Sequence, residues 1–168
     1  MGRADVSDSR IRKQVEAAQQ HLHKLLSNFD LKLPWGKDLV AHTPRADNSA
    51  ADAAANRALD NRTFSTWDLQ ECLNFLDALA RRPRTDYALL WSFDGASRGN
   101  PGQASFGVSA WWGTLDAKGF HQGGHVFSQG VAIGKAGNNL AEAVGLSAAC
   151  KASCACTAGF GSMCRAKF

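Results

Sequence analysis

An apolar run that ends in an acid and a tight turn places the strongest constraint on the fold of this chain. The run YALLWSF (87–93) is typical of a buried strand, and Asp94 follows it directly, ahead of the turn sequence GNPG (99–102). Acids are depleted in strands, and a buried carboxylate is costly unless it is paired or binds a cation. The stretch therefore predicts a strand that presents a carboxylate, suited to a metal ion, beside a turn.

Two more strands and a helix are predicted after that turn. The segment ASFGVSAWWG (104–113) alternates like a strand, and FHQGGHVFSQGVAI (120–133) gives a third strand with a bulge at Gly123 and Gly124. NNLAEAVGLSAACK (138–151) is predicted to be helical. Three strands joined by tight turns and followed by a helix form half of an α/β sheet.

The N-terminal part of the chain predicts two helices and a linker. Apolar residues recur at helical spacing from 10 to 29, and 49–62 is rich in strong helix formers. Between them DLVAHT (38–43) is a short strand candidate. Residues 63–86 are interpreted as a linker that contains a helix of its own and ends in a basic, proline-broken hinge.

The composition of the chain indicates an ordinary globular protein. Of its 168 residues, 45% are apolar and 20% charged, and the net charge of +4 is compatible with a polyanionic partner. The polar N-terminus is unlike a secretory signal, and no apolar run approaches the roughly 18 residues of a membrane span. We therefore expect an intracellular protein, cytoplasmic or nuclear.

Four of the five cysteines lie in the last twenty residues, at Cys150, Cys154, Cys156 and Cys164. Their spacing lacks the paired C-x2-C motifs of common zinc modules. We interpret them as incidental thiols, with zinc binding as the weaker alternative.

Two motifs resemble the opening half of a type 1 ribonuclease H domain, in the version common in plants, retroelements and bacteria. FDGASRGNPG (93–102) matches the end of that family's first strand, D-G-A-S-x-G-N-P-G, and NNLAEAVGL (138–146) matches the start of its first helix. VAHTPRADNSAADAAANRALD (40–60) is similar to the closing segment of the same family, where strand five runs into H-V-P-R-E-x-N-x-x-A-D-x-L-A-N-x-A. The order of the two parts is inverted relative to one intact domain.

The resemblance implies an α/β fold, a ribonuclease H-like mixed sheet with flanking helices that is incomplete or permuted. The implied division is a C-terminal part of one such domain (1–62), a helical linker (63–86), an N-terminal part of another (87–150) and an unassigned Cys-rich tail (151–168).

Two arrangements of these parts remain open. The two parts complement each other within one chain, or the chain is a fragment of a longer protein with tandem domains. Complementation would place Asp52 within about 10 Å of Asp94, the limit for ligands of one two-metal site. Because the family's fourth strand has no counterpart here, an unpaired strand edge would otherwise favour self-association.

The resemblance also implies an activity, the endonucleolytic hydrolysis of the RNA strand of RNA–DNA hybrids with Mg²⁺, or Mn²⁺ in its place. Asp94 matches the first-strand acid, Glu142 the helix acid and Asp52 the acid that opens the final helix, all three being metal ligands and catalytic in the family. His42 has the spacing of a histidine that assists product release in some relatives. The third acid of the family, on the fourth strand, has no counterpart, and neither Asp nor Glu follows Glu142.

The expected partner is an RNA–DNA hybrid or another nucleic acid. Asn138 and Asn139 match amides that reach into the minor groove, where 2′-hydroxyls distinguish RNA from DNA. Ser97, Gly99 and Asn100 lie on the turn beside the first-strand acid, close enough to approach the RNA strand.

Each of these residues also has an ordinary structural interpretation. Asp52 fits a capping box, and Glu142 fits a solvated acid in a first helical turn, which the helix dipole favours. The structural interpretation of the three histidines is that they are ordinary sheet residues with no catalytic role: His42, His121 and His125. The alternative to an enzyme is a catalytically inactive relic that binds nucleic acid weakly or only folds.

Overall fold

The structure is a computed structural model that describes residues 8–29, 43–67, 70, 87–116, 119–160 and 166–167. Among the described residues are three α-helices, a short 3₁₀ turn (Arg45–Asn48) and five strands. The helices are α1 (Ser9–Phe29), α2 (Ser49–Asn61) and α3 (Asn138–Phe160). The strands are β1 (Thr63–Trp67), β2 (Tyr87–Gly99), β3 (Gly102–Asp116), β4 (Gly119–Ala136) and β5 (Ala166–Lys167).

The strands form one sheet in the order β1-β4-β3-β2-β5. Strands β2, β3 and β4 are consecutive and antiparallel, and β1 adds to β4 in antiparallel orientation. Strand β5 is parallel to β2 and pairs with it only at Leu89 and Leu90. The predicted α/β class is thus confirmed, with a mixed sheet whose long strands are antiparallel.

One face of the sheet carries the main hydrophobic core. Leu89 and Trp91 alternate along β2 toward this face, as Val108 and Ala110 do along β3, and all four are buried. They pack with Ala149 and Cys150 of α3 and with Ala18 and Leu22 of α1. Helix α1, from the start of the chain, therefore shares its core with the helix that follows the sheet.

The opposite face of the sheet is covered by α2 at very short range. Gly107 of β3 pairs with Asp94 on one side and with Gly130 on the other. A Cβ atom at Gly107 would lie 2.1 Å from the carbonyl oxygen of Ala51, and one at Gly130 would lie 2.1 Å from that of Ala54. The two glycines therefore let the helix backbone rest on the strands, with the start of α2 beside Asp94.

Alanines on the sheet-facing side of α2 complete this close contact. Ala51, Ala54, Ala55 and Ala58 are all buried, and the hydroxyl of Ser105 donates a hydrogen bond of 2.6 Å to the carbonyl oxygen of Ala55. Small side chains at a three- and four-residue spacing form one face of a helix. The alanine-rich sequence of α2 is thus explained by packing as well as by helix propensity.

Most predicted elements are confirmed. The helices predicted at 10–29 and 49–62 agree with α1 and α2 to within one residue, and the three predicted strands are present. The bulge predicted at Gly123 is also confirmed, because Gln122 and Gly124 pair with neighbouring residues of β3 and leave Gly123 between them. Helix α3 begins at the predicted Asn138 but continues into the tail, as far as Phe160.

The linker prediction for 63–86 was wrong at its start. Thr63–Trp67 forms strand β1, which pairs with β4 from Val131 to Phe127. The segment TFSTW is rich in aromatic and β-branched residues, which fit a half-buried strand better than a linker. The predicted helix in the rest of the linker and the predicted strand at 38–43 lie outside the described residues, except for Gln70 and Thr43.

No helix in the described part of the chain is long and apolar enough to cross a membrane.

Candidate active site

A polar cavity of about 440 Å³ lies where α2, β2 and the start of α3 meet. It draws side chains from both of the stretches that carry the sequence motifs. Its lining residues are Thr43, Asn48, Asp52, Asn56, Asp94, Gly95, Ala96, Ser97 and Asn138. The fold therefore brings the two stretches together around one site despite their inverted order.

Asp52 and Asp94 both line this cavity, and their carboxyl groups lie close enough that, in addition to burial, Asp52 raises the pKa of Asp94. Asp52 lies in the first turn of α2, and Asp94 lies in β2 opposite Gly107, on which α2 rests. Their contact is well inside the limit of about 10 Å expected for ligands of one two-metal site. The two predicted ligands are thus adjacent.

The environment of Asp94 disfavours its negative charge. Burial is the main cause that raises the pKa of Asp94 above its ordinary value of 3.8, and the charges of Asp52 and Glu142 raise it further. The hydrogen bond that the Gly95 N–H donates to Asp94 Oδ1 (2.9 Å) acts in the opposite direction. A cation beside Asp94 would offset this unfavourable environment of its carboxylate.

Glu142 lies next to this pair, on the first turns of α3. A Cβ atom at Gly95 would lie 2.4 Å from the backbone nitrogen of Glu142, so only glycine lets α3 approach β2 beside Asp94. The Glu142 side chain is exposed, and its Oε1 accepts a hydrogen bond of 2.7 Å from Asn138 Nδ2. Glu142 therefore acts on Asp94 by its charge but does not line the cavity.

Asn48 is a further residue of this site, to which the sequence interpretation gave no role. Its Nδ2 donates a hydrogen bond of 2.9 Å to the backbone carbonyl of Phe93, the residue before Asp94. It is also the N-cap residue of α2, yet it makes no side-chain capping bond. In the sequence, Asn48 stands out only by its place in the motif with Pro44, Arg45 and Asp52. Its contact with Phe93 could not be inferred from the sequence, because the partner is a backbone atom far away in the chain.

The residues predicted to contact nucleic acid divide into two groups. Ser97 and Asn138 line the cavity, and the Ser97 hydroxyl lies within hydrogen-bonding reach of the carbonyl oxygens of Ala136 (3.0 Å) and Gly99. Gly99, Asn100 and Asn139 are exposed outside it. Gly99 has a φ of 97°, in the left-handed region that favours glycine, and it starts the turn to β3.

Of the three histidines considered in the sequence, two lie among the described residues. His42 lies outside the described residues. His121 and His125 both lie on β4, away from the cavity-lining residues. His125 Nε2 is 2.8 Å from the Ser128 hydroxyl, and its ring packs edge-on against Trp111 at a centroid distance of 4.7 Å. Strand β4 thus gives both residues ordinary positions in the sheet.

The oxygen donors of the cavity suit a hard cation such as Mg²⁺, which prefers carboxylates and keeps several of its waters. Asp52 and Asp94 supply the carboxylates. Among the described residues, however, no group of three or more His, Cys, Asp and Glu side chains is arranged to hold a metal ion. The carboxylates of Asp52 and Asp94 therefore suit Mg²⁺ as ligands. Glu142 would supply the nearest further carboxylate.

No protein-family model, curated protein or solved structure matches this chain. The resemblance to ribonuclease H therefore rests on the sequence motifs alone.

Proposed function

We propose that this chain is a ribonuclease H-like endonuclease that hydrolyses the RNA strand of RNA–DNA hybrids with Mg²⁺, or with Mn²⁺ in its place. The observation that carries the proposal is that Asp52 and Asp94 line the same polar cavity. The two acids come from separate motifs, and the family resemblance assigns both to one metal site. A fold that brings these two acids into one polar cavity, despite their inverted order, supports that assignment.

The chemistry follows from the charges in the cavity. Asp52 and Asp94 repel each other when both are ionised, so a cation that binds between them would offset that repulsion. Bound Mg²⁺ supplies charge to activate a water molecule and to stabilise the leaving oxygen of the phosphodiester. Glu142 can add its carboxylate at the rim, where Asn138 holds it at present.

Recognition of the hybrid is proposed for the polar residues around the cavity. Ser97 and Asn138 at the cavity wall and the exposed Asn139 offer hydrogen bonds to the RNA strand, where 2′-hydroxyls are both donors and acceptors. Gly99 and Asn100 would contact the backbone from the turn next to the cavity. The products would carry a 3′-hydroxyl and a 5′-phosphate, as the family resemblance implies.

A second candidate function is nucleic-acid binding without cleavage. It is favoured by the missing third acid and by the position of Glu142, which does not line the cavity. Such a protein would bind hybrids in the presence of Ca²⁺ or Mg²⁺ and leave the RNA intact.

The substrate class is tested by giving the purified protein four labelled substrates of one sequence: an RNA–DNA hybrid, double-stranded RNA, single-stranded RNA and double-stranded DNA. The expected result is Mg²⁺-dependent cleavage of the RNA in the hybrid alone, with 5′-phosphate ends on the downstream products. Hybrid binding with no cleavage would favour the second candidate, and equal cleavage of all four substrates would contradict the proposed specificity.

A further inference from the structure

The orientation of the Asn48 amide is fixed by its partner. The carbonyl oxygen of Phe93 can only accept a hydrogen bond, so the atom of Asn48 that lies 2.9 Å from it must be the NH₂ group. The other end of the amide, Oδ1, is buried and has no hydrogen-bond partner among the described residues. In this orientation the Nδ2 group of Asn48 has a hydrogen-bond partner and its Oδ1 atom does not.

This orientation is costly for an N-cap residue. Asparagine at an N-cap usually accepts a hydrogen bond from the backbone N–H groups of the first helical turn, but Asn48 makes no such bond to α2. A buried acceptor without a partner also lowers stability. Because a simple cap would avoid both costs, the contact with Phe93 has to be explained by something other than the stability of α2.

Asn48 connects the backbone segments that carry the two acids. It lies one helical turn before Asp52, and its amide is bonded to the residue that directly precedes Asp94. It also lines the same cavity as both acids. A change in this bond therefore alters the approach of α2 to β2 at the point where the carboxyl groups meet.

We propose that Asn48 is a positioning residue that sets the approach of Asp52 to Asp94. The inference deepens the proposed metal site and rests on the proposed function. In this role the amide acts through the backbone of Phe93, and it fixes the separation of the two carboxyl groups before a cation binds. Such supporting hydrogen bonds typically change metal affinity by ten- to a hundredfold when they are removed.

The test uses Asn48→Ser, because serine is as good an N-cap as asparagine but is too short to reach Phe93. Asn61→Ser is the matched control, with the same substitution at the exposed C-terminal end of the same helix. Asn48→Asp is the second variant, since it keeps the size and the capping ability but cannot donate to a carbonyl. Three quantities are measured for each protein: the Asp52–Asp94 separation in a crystal structure, the Mn²⁺ affinity by electron paramagnetic resonance, and the thermal unfolding midpoint.

In both Asn48 variants we expect the two carboxyl groups to move beyond hydrogen-bonding distance. The Mn²⁺ affinity of Asn48→Ser should fall about tenfold or more, whereas Asn61→Ser keeps the wild-type values. Asn48→Asp adds a carboxylate to the cavity wall, so it is judged by the separation of the two carboxyl groups alone. The thermal midpoint of Asn48→Ser should stay close to wild type, because the lost hydrogen bond and the removed unpaired acceptor offset each other.

An unchanged contact between Asp52 and Asp94 in both Asn48 variants would overturn the proposal. So would a loss of thermal stability with no change in carboxyl separation, which is the signature of a purely structural role. If the wild type binds no Mn²⁺, the proposed metal site fails, and the carboxyl separation in the crystal structures still decides the role of Asn48.

Discussion

Asp94 combines properties that a structural acid would not need. It lies in a strand, its carboxyl group contacts that of Asp52, and burial raises its pKa. Natural proteins rarely keep two acids in contact without a functional reason, because like charges at this distance destabilise the fold. The properties of this residue are therefore best explained by a ligand that the folded chain binds.

The first prediction concerns the stability of the metal-free protein. Since the pKa of Asp94 is raised on folding, the folded state holds its proton at pH values where the unfolded chain has released it. The stability that this group contributes is therefore full below the unfolded value of 3.8 and is lost as the pH rises through the folded pKa. Asp94→Asn removes that loss, so its thermal midpoint without divalent metal should be higher than wild type by about 2 °C at neutral pH.

The thermal midpoints of the wild type and Asp94→Asn are compared again at about pH 3, and separately at neutral pH with added Mg²⁺. These two conditions test whether the charge of Asp94 causes the difference. At low pH the advantage of Asp94→Asn should disappear, and Mg²⁺ should raise the midpoint of the wild type only. A midpoint of the variant below wild type at neutral pH would contradict the proposed repulsion between the acids.

The second prediction separates two neighbouring asparagines. Asn138 lines the cavity and donates to Glu142, whereas Asn139 is exposed and does not line it. Asn138→Ala should weaken Mg²⁺ binding about threefold, the typical effect of one lost hydrogen bond. Asn139→Ala, the matched control, should leave it unchanged in titration calorimetry. Equal effects of the two substitutions would argue against a link between Asn138 and the metal site.

At the scale of elements, the position of α2 on the sheet determines whether a site exists. The backbone of α2 is close enough to β3 and β4 that Gly107 and Gly130 have no room for a side chain. The first turn of α2, with Asp52, is thereby held beside Asp94. The packing of one helix thus sets the geometry of the acids.

The third prediction tests this packing with Gly107→Ala. The Cβ atom of the new alanine would lie 2.1 Å from the backbone carbonyl oxygen of Ala51. Helix α2 must therefore move away from the sheet. We expect a loss of about 1–3 kcal/mol in unfolding free energy and a weaker Mg²⁺ affinity, measured by denaturant unfolding and calorimetry. In the control Gly123→Ala the nearest atoms to the Cβ belong to the Trp112 ring, at 3.1 Å, and Gly123 does not line the cavity, so the metal affinity should stay the same. An unchanged stability of Gly107→Ala would mean that α2 is not held at this distance.

Local sequence patterns predicted most elements of this fold, because helix and strand periodicity is carried by adjacent residues. Strand β1 was missed because its pairing with β4 is a long-range contact, which a five-residue segment does not reveal. At the site, the proximity of Asp52 and Asp94 was expected only for complementation within one chain, which was one of two arrangements left open. The role of Asn48 could not be predicted, since it depends on a backbone carbonyl 45 positions along the chain.

At the scale of the whole molecule, the two stretches of the chain share one structure. Helix α1 packs on α3, and α2 packs on β2, β3 and β4. The inverted order of the motifs is therefore compatible with complementation within one chain. Both stretches contribute buried residues to the main core.

The fourth prediction is that the chain unfolds as one cooperative unit. Leu22 of α1 is buried against the core that includes Leu89, Trp91 and Ala149. Leu22→Ala should lower the unfolding free energy by about 2–5 kcal/mol and reduce hydrogen-exchange protection in α1, α3 and β2 together. The exposed neighbour Gln20→Ala serves as the control. Two separate calorimetric transitions, or loss of protection in α1 alone, would contradict this account.

The central claim is that Asp52 and Asp94 form a working metal site. The most direct measurement is the single-turnover rate of hybrid cleavage with saturating Mg²⁺ or Mn²⁺, for the wild type, Asp94→Asn and the exposed control Asp60→Asn. We expect cleavage of the RNA strand by the wild type and by Asp60→Asn, and none by Asp94→Asn. Cleavage that survives in Asp94→Asn, or a folded wild type that leaves the hybrid intact, would contradict this claim.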